Sequence, residues 1–551
     1  MKLGLSILIA LFIITSCNLK EDRRKDQEKT VFRYNESAGI TTLDPAYVRR
    51  FEDFLAIEQL YNGLISLDES LEVIPSIAKE WNVSEDGLTY TFHLRKDVFF
   101  NRSDLFGSQE TRRVTASDVV YSFLRIIDPT TASPGKYIFQ NLDNSSSNFK
   151  GIEASDENTL VIHLATPQPS LIYQLSLPYC TIVPYEVVEH FGDDFGLHPI
   201  GTGPFYLKKW KKDVKLVMAK NKNYFEQDNN GIQLPYLDAI SVYFIQDKHQ
   251  EFIKFKSGNL EMISGMNEED KDQLLNSEGE LHDNLTESFK LLKTNWLNTD
   301  YLGVLMDDNY QNKSNPLKNK LIRNAIGYAI NRKVMIRYLR NNIGIAASNG
   351  FVPKGMPNFE KFQIEGYNYN IERSMQLIKE AGFENVDDLP EITLSATPEY
   401  KTLCEYLQRE LGKVGFKIKV DMNSVSSMNQ RIAQFEANFY RKSWIADFPD
   451  AINYFQLFYS KNFYPESGSN YTHFKNQKYD VLFELASVEK DDASRMKLYQ
   501  EMNQIIHDEA PVIPLFYAET LRFLKNNVSG LKSNSLNTLS LKNVRVKNQN
   551  D

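Results

Sequence analysis

An apolar run from Leu3 to Ile14 stands behind Met1 and Lys2, and no second long apolar run follows it. The run covers roughly 12 residues, whereas a helix needs about 20 to cross a bilayer. One basic residue, a short apolar core and an exit of small residues are typical of a secretory signal peptide. We therefore expect residues 1–16 to be a signal peptide and the remainder of the chain to fold in water.

The exit of this run reads Ile14-Thr15-Ser16-Cys17, which resembles the bacterial lipobox: an aliphatic residue, two small ones and the cysteine that is acylated. The chain has three cysteines in all, and one stands at the required point, although composition alone could also place it there. We predict that Cys17 is lipidated, since two or more acyl chains hold a protein stably to a membrane. Residues 17–30 carry few apolar side chains and are expected to form a solvated tether.

Length and charge limit the remaining possibilities. Roughly 520 residues exceed a single hydrophobic core and suggest two or three domains. The formal net charge is -9 and the positive charges are scattered, so no nucleic-acid partner is expected. Cys180 and Cys404 lie far apart in the sequence, and two buried free thiols are a better prediction for them than a disulfide.

Local patterns indicate a mixed α/β chain. Alternation over Leu88–Leu94 is typical of a half-buried strand, and Thr115–Arg125 begins with capping residues and continues with helical spacing. Further on, a helix predicted at Lys401–Val414 ends at a glycine and lies between strands predicted at Ile392–Ser395 and Lys417–Val420. Helices that alternate with strands favour an α/β fold.

A series of short motifs runs from about Phe32 to Tyr517, and although each is weak alone, their fixed order argues against chance. They are Leu43-Asp44-Pro45, Leu60–Leu64, Pro75–Trp81, Tyr90–Val98, Val114–Arg125, Gly201–Phe205, Asn223–Phe225, Leu234–Asp238, Arg323–Arg332, Lys379–Phe383, Trp444–Asp450 and Ala510–Leu515. In this order they resemble the oligopeptide- and dipeptide-binding group of extracytoplasmic solute-binding proteins (solute-binding family 5). The chain departs from the family pattern at 101–113, where a surface loop is longer and charged.

The resemblance implies a two-lobed periplasmic binding protein fold of class II (cluster C type) with an extra inserted small domain. Lobe I would combine residues 31–50, 199–289 and 510–551, the inserted small domain would cover 51–198, and lobe II would cover 290–509. Two strands would cross between the lobes as a hinge, and the lobes would close over a ligand in the cleft.

The resemblance also assigns a receptor for the ligand's ammonium group. In relatives this group pairs with an Asp three residues after a Trp, and Asp447 stands three residues after Trp444. A buried charge-assisted hydrogen bond of this kind contributes about 1.5–3 kcal/mol. The alternative is that Asp447 merely caps the turn before Pro449.

Main-chain groups and a basic residue complete the implied site. Trp444-Ile445-Ala446 and, from the other lobe, Gly39-Ile40-Thr41 occupy the positions where relatives pair with a peptide's backbone, which gives affinity without reading side chains. Arg441 and Arg431 are the candidates for the ligand's carboxylate, because an Arg fork matches a carboxylate bidentately. A solvated surface Arg is the alternative for both.

Other chemistry has little support in the sequence. The histidines show no pair at metal spacing, and no Gly-x-Ser-x-Gly or phosphate-loop pattern occurs. Gly201-Thr202-Gly203 precedes Pro204, which lacks an amide donor, and is interpreted as a structural turn. We therefore expect no cofactor, no metal and no enzymatic activity.

These observations predict a monomeric lipoprotein outside the cytoplasm, periplasmic or at the cell surface, anchored to the membrane by lipid. It would capture di- or oligopeptides for an ABC transporter, with the permease and its ATPase as partners. Alternatives within the same fold are a receptor for a nickel chelate or a saccharide, or a sensory lipoprotein. An extracytoplasmic hydrolase would need a nucleophile or metal constellation that the sequence does not show.

Overall fold

The computed structural model describes residues 29–145, 151–265, 268–307 and 315–547. The predicted signal peptide, Cys17 and nearly all of the predicted tether lie outside these ranges. Within them, every helix is too short or too polar to cross a bilayer.

The strands and helices of the described residues alternate along the chain. The strands are β1 (Val31–Asn35), β2 (Ile65–Leu67), β3 (Val73–Pro75), β4 (Ala78–Val83), β5 (Thr89–Leu94), β6 (Ile152–Asp156), β7 (Thr159–His163), β8 (Phe205–Lys211), β9 (Lys215–Lys220), β10 (Ala239–Tyr243), β11 (Met262–Ser264), β12 (Phe289–Val304), β13 (Ile345–Ala346), β14 (Ile392–Ala396), β15 (Ile418–Met422), β16 (Phe439–Ile445), β17 (Val512–Lys525), β18 (Val528–Ser529) and β19 (Arg545–Val546). The helices are α1 (Phe51–Leu60), α2 (Ala116–Ile127), α3 (Leu171–Gln174), α4 (Tyr185–Phe191), α5 (Lys248–Lys256), α6 (Glu268–Leu274), α7 (Lys320–Ala329), α8 (Arg332–Arg340), α9 (Phe359–Phe362), α10 (Ile371–Glu380), α11 (Lys401–Gly412), α12 (Val425–Ala433), α13 (Ile452–Phe455), α14 (Gln477–Val488) and α15 (Asp492–Glu509).

The N-terminal strand belongs to a four-stranded sheet of order β1-β10-β9-β8, in which β1 and β10 run parallel. Phe32 and Tyr34 of β1 are fully buried on this sheet, and the same core contains side chains of α1 such as Ile57. The core also takes in Val183 and Phe195. It thus includes parts of the segment 51–198 that the predicted boundaries assign to the inserted domain.

The turn at Gly201–Gly203 is packed directly against the end of α1. A Cβ at Gly201 would lie 2.3 Å from the carbonyl oxygen of Leu60, and one at Gly203 would lie 2.3 Å from the carbonyl carbon of the same residue. Such distances leave no room for any side chain, so the prediction of a structural turn is confirmed.

A second four-stranded sheet, of order β4-β5-β7-β6, forms a separate core with α2. Side chains of β5 alternate between half-buried and buried, as the sequence pattern predicts. The predicted cap of α2 is present too, because the Asp118 carboxylate accepts a hydrogen bond of 2.9 Å from the Thr115 N–H. Cys180 lies in this core and Cys404 in another, both buried and unpaired, which confirms the predicted free thiols.

The largest sheet has the order β11-β17-β12-β16-β14-β15, with β13 on β17. Its two longest strands, β12 with 16 residues and β17 with 14, lie side by side. In β17, Leu524 is buried in the core of the β1 sheet, whereas Ile513 is buried in a core with α7, α10 and α11. The pair therefore runs from one core to the other.

Candidate ligand-binding site

Strand β16 has one fully paired edge and one that is largely open. It pairs with β12 along its whole length, from Phe439 to Ile445. With β14 it pairs at a single position, Tyr440 with Ser395. From Arg441 onward, none of the described residues pairs with this second edge as a strand. An open edge presents N–H and C=O groups to which an extended chain can bind.

Asp447 follows directly after this edge and is held by a short chain of side-chain hydrogen bonds. Trp444 Nε1 donates to Asn453 Oδ1 at 2.9 Å, and Asn453 Nδ2 donates to Asp447 Oδ2 at 3.4 Å. Tyr454 OH donates to the Trp444 carbonyl at 3.2 Å, and the Ala446 N–H donates to β12. These bonds position the Asp447 carboxylate without neutralising its charge.

The surroundings of Asp447 favour binding of a cation. More than a third of the residue is exposed, yet desolvation by the surrounding protein raises the pKa of its carboxyl, against the opposing effect of Asn453. Both facts fit a carboxylate on a concave surface, enclosed on most sides and open to water on one. Among the described residues no Lys, Arg or His forms an ion pair with it, and no backbone N–H caps onto it. The site therefore lacks a positive charge that a ligand can supply.

Two tyrosines from the N-terminal half of the chain lie near Asp447. Desolvation, followed by the Asp447 charge, raises the pKa of Tyr137 and of Tyr179. The Tyr137 hydroxyl is buried and has no hydrogen-bond partner in the described structure. Phe448, next to Asp447, is buried in the core of the β5 sheet. Asp447 thus lies where the C-terminal half of the chain meets the core of the β5 sheet.

Arg441 is already paired within the protein. Its Nε lies 3.1 Å from Asp300 Oδ1, its Nη2 also binds Asp300, and its guanidinium lies 3.2 Å from the Tyr400 ring centroid. The two charged side chains are 9% and 4% exposed. Burial opposes the Arg441 charge, but Asp300 outweighs it, so the pKa of Arg441 rises. Asp300 thus already occupies the edge of the guanidinium formed by Nε and Nη2, which is one of the two edges that could bind a ligand carboxylate bidentately.

Arg431 also has protein partners. It lies in the last turn of α12 and forms an ion pair with Asp421, while its Nε is 3.8 Å from Glu436. The side chain is partly exposed. Its predicted role at the ligand remains a prediction, because two carboxylates already compete for its charge.

The turn Gly39-Ile40-Thr41 uses much of its own hydrogen-bonding capacity. The Thr41 N–H and hydroxyl donate to Asp53 at 2.7 and 2.6 Å, and Ile40 is buried in the core of the β1 sheet. Gly39 has φ +72° and a Cβ there would meet no atom within 4 Å, so it borders open space. In the described structure no hydrogen bond or ion pair joins this turn to Trp444–Asp447.

Sequence reasoning missed Lys442. Its Nζ lies 3.2 Å from Asn429 Oδ1 and 3.9 Å from the Tyr471 ring centroid, and within the described residues it has no carboxylate partner. Burial, followed by the neighbouring Arg441 charge, lowers the pKa of Lys442 to about 8. No sequence signal distinguishes this lysine from a solvated one, because its lack of a carboxylate partner depends on the positions of residues distant in the sequence.

Two cavities of the described surface lie away from these residues. One of about 670 Å³ is lined by Ser348, Gln363 and Gln504, and one of about 540 Å³ by Arg102, Trp210 and Lys212. Over the described part of the chain, no cluster of three or more His, Cys, Asp or Glu residues is arranged to hold a metal ion. The open strand edge and the unneutralised charges beside it are therefore the best-supported binding site.

Comparison with known proteins agrees with this geometry. Residues 72–465 match the family model described as bacterial extracellular solute-binding proteins, family 5 Middle. The heme-binding protein A of Haemophilus influenzae is 25% identical, covering 96% of each chain, and the dipeptide-binding protein of Escherichia coli is 26% identical, covering 88% of this chain and 89% of its own. The periplasmic binding protein DppA of Helicobacter pylori, solved in complex with the peptide STSA, superposes with a TM-score of 0.74 at 26% identity, covering 95% of this chain and 99% of that one.

The class defined by fold and site is that of a solute receptor with a periplasmic binding protein fold. The chain belongs to the bacterial extracellular solute-binding proteins, family 5. The predicted fold class is thereby confirmed. So is the prediction that the chain is not an enzyme, because this family consists of solute-binding proteins.

Proposed function

We propose that the chain is the substrate-binding lipoprotein of an ABC transporter, which captures di- or oligopeptides between its lobes and delivers them to the permease. The observation that carries the proposal is Asp447, a desolvated carboxylate without a counter-cation beside the open edge of β16. A peptide offers what this site lacks, namely an ammonium group and a backbone that can pair with a strand edge. Relatives that bind peptides support the choice of cargo.

The cargo is tested by denaturing mass spectrometry of ligand released from the purified protein. Peptides of two to five residues are expected. A saccharide, a metal chelate or a haem in their place would overturn the peptide assignment, and the heme-binding relative makes that comparison necessary.

The anchor and the transport role need separate tests. Cys17→Ser is expected to move the protein from the detergent phase to the aqueous phase in a detergent partition, with Cys180→Ser as the control that stays in the detergent phase. Deletion of the gene should abolish uptake of a labelled peptide by the intact cell. Normal uptake in the deletion strain would favour the sensory alternative.

A further inference from the structure

Two neighbouring cations on β16 have opposite surroundings. Side chains alternate between the two faces of a strand, so Lys442 and Trp444 lie on one face and Arg441 on the other. On its face, Arg441 binds Asp300 and stacks on Tyr400. On the opposite face, the partners of Lys442 are an amide oxygen and an aromatic ring.

The partners of Lys442 satisfy its ammonium group without neutralising it. An amide oxygen and the face of a tyrosine ring attract a cation weakly compared with a carboxylate. Partial burial of a charge with no counter-charge is unfavourable, and an added anion relieves it. The position is thus better suited to binding an anion than to stabilising the fold.

Spacing along the strand relates this ammonium to Asp447. Five residues at about 3.3 Å each separate the two positions by at most about 16 Å, which is the extended length of about five peptide residues. Lys442 shares a face of β16 with Trp444, which is linked through Asn453 to Asp447 just beyond the end of the strand. An ammonium on the strand and a carboxylate past its end, with the open edge between them, match the two charged ends of a short peptide.

We propose that Lys442, and not Arg441, binds the C-terminal carboxylate of a peptide whose N-terminal ammonium binds Asp447. This assignment rests on the proposed function and limits the cargo to peptides of at most about five residues with a free carboxyl end. Arg441 keeps Asp300 as its partner in the liganded protein and supports the strand from its other face.

The test is isothermal titration calorimetry with two probes, tetra-alanine and its C-terminal amide, on the full chain freed of co-purified ligand. Wild-type protein is expected to bind the acid at least about tenfold more tightly than the amide, a difference of roughly 1.4 kcal/mol. Lys442→Met should weaken binding of the acid and leave binding of the amide unchanged, so that the ratio of the two dissociation constants approaches one. Lys442→Arg should keep most of the preference.

A matched control is Lys419→Met, which removes an exposed lysine from β15, a strand of the same sheet that is separated from β16 by β14. It should leave the acid-to-amide ratio at the wild-type value. Circular dichroism melting of each variant checks that it folds, and Lys442→Arg tests the role of the charge even if the Met variant is unstable.

The outcomes separate this proposal from the one on which it rests. Wild-type protein that binds neither probe nor any longer or shorter alanine peptide overturns the proposed function and this assignment together. Peptide binding with the same acid preference in wild type and Lys442→Met overturns the assignment of Lys442 alone. If the interaction with Tyr471 is the whole role of Lys442, the Met variant will lose stability and keep the preference, which also overturns the proposal.

Discussion

Among the described residues, charged side chains are neutralised by an ion pair near α2 but have no ion-pair partner at the end of β16. Near α2, Arg125 binds both oxygens of Asp44 at 2.7 and 2.6 Å, with side chains 12% and 2% exposed. At the end of β16, Asp447 and Lys442 are held by amides and an aromatic ring. Charges of the first kind are neutralised by the fold itself, so they serve structure. Those of the second kind remain available to a ligand.

Strand β16 contains both kinds within two residues. Arg441 resembles Arg125, because a buried carboxylate forms an ion pair with its guanidinium. Lys442 resembles Asp447, because no oppositely charged side chain of the described residues pairs with it. Proximity to the open edge is therefore a weaker guide to function than whether each charged side chain already has an oppositely charged partner in the protein.

The largest expected effect comes from breaking the ion pair at α2. Arg125→Met leaves the Asp44 carboxylate buried without its cation, which typically costs about 3–5 kcal/mol. Urea denaturation should show a loss of this size in the free energy of unfolding. Arg113→Met is the control, since its partner Glu157 is 74% exposed and such pairs contribute about 0–1 kcal/mol. Equal losses in the two variants would contradict the distinction.

Asp447→Asn is expected to separate binding from stability. Loss of the charge-assisted hydrogen bond should lower the affinity for tetra-alanine by about 10- to 100-fold, as measured by calorimetry. Desolvation in the folded protein raises the pKa of Asp447, so the ionised carboxylate opposes folding, and removing its charge should leave stability at neutral pH unchanged or increase it.

Asp450→Asn provides the matched contrast three residues further on. The Asp450 carboxylate accepts from Tyr499 OH at 2.6 Å and lies 3.6 Å from Arg495, and all three side chains are buried. This variant should lower the midpoint of urea denaturation, which Asp447→Asn should not. A destabilised Asp447→Asn protein would place Asp447 among the structural charges.

The titration of Lys442 should change the affinity for peptide less than the Asp447 substitution does, and in a direction that can be predicted. The ammonium form binds a carboxylate, and the pKa of the unliganded residue is about 8, so affinity should fall as pH rises through 8. Between pH 7 and 9 the loss is about tenfold if the ligand holds the proton on Lys442. Its near neighbours Arg441 and Tyr471 stay protonated over most of this range, as their raised pKa values indicate.

The peptide's own α-amino group, with a pKa of about 7.7–8.0, also loses its proton in this interval. Lys442→Arg corrects for that loss, because arginine keeps its charge at pH 9. Wild-type affinity for tetra-alanine should therefore fall about tenfold more than that of the Arg variant. Parallel declines would show that Lys442 is not the group that titrates.

Much of the fold follows from patterns that are local in sequence. The alternation in β5, the cap of α2 and the glycine turn at 201–203 each depend on neighbouring residues, and the structure confirms all three. The order of the motifs was enough to predict the family. The packing of α1 in the core of the β1 sheet was not predicted, because it depends on which distant sheet buries the apolar face of the helix.

The site was predictable only where one residue's role does not depend on a distant partner. Asp447 stands at a fixed offset from Trp444, and its surroundings favour the predicted role. No residue near Arg441 in the sequence indicates that Asp300, on β12, pairs with its guanidinium. Lys442 was missed for the converse reason, since the lack of a carboxylate partner cannot be read from the residues beside it.

Arg431→Ala should have the smallest effect and sets the lower limit of the comparison. Arg431 is neutralised like Arg125, but its pair with Asp421 is about a third exposed, so water screens the interaction and its loss should cost less than about 1 kcal/mol. Affinity for tetra-alanine should change less than about twofold, because Asp421 and Glu436 compete for the guanidinium. Calorimetry with the acid and the amide checks both points. A loss of affinity for the acid alone would transfer the carboxylate site from Lys442 to Arg431, and would show that a partly exposed ion pair can open to admit a ligand where the buried pair at Arg441 does not.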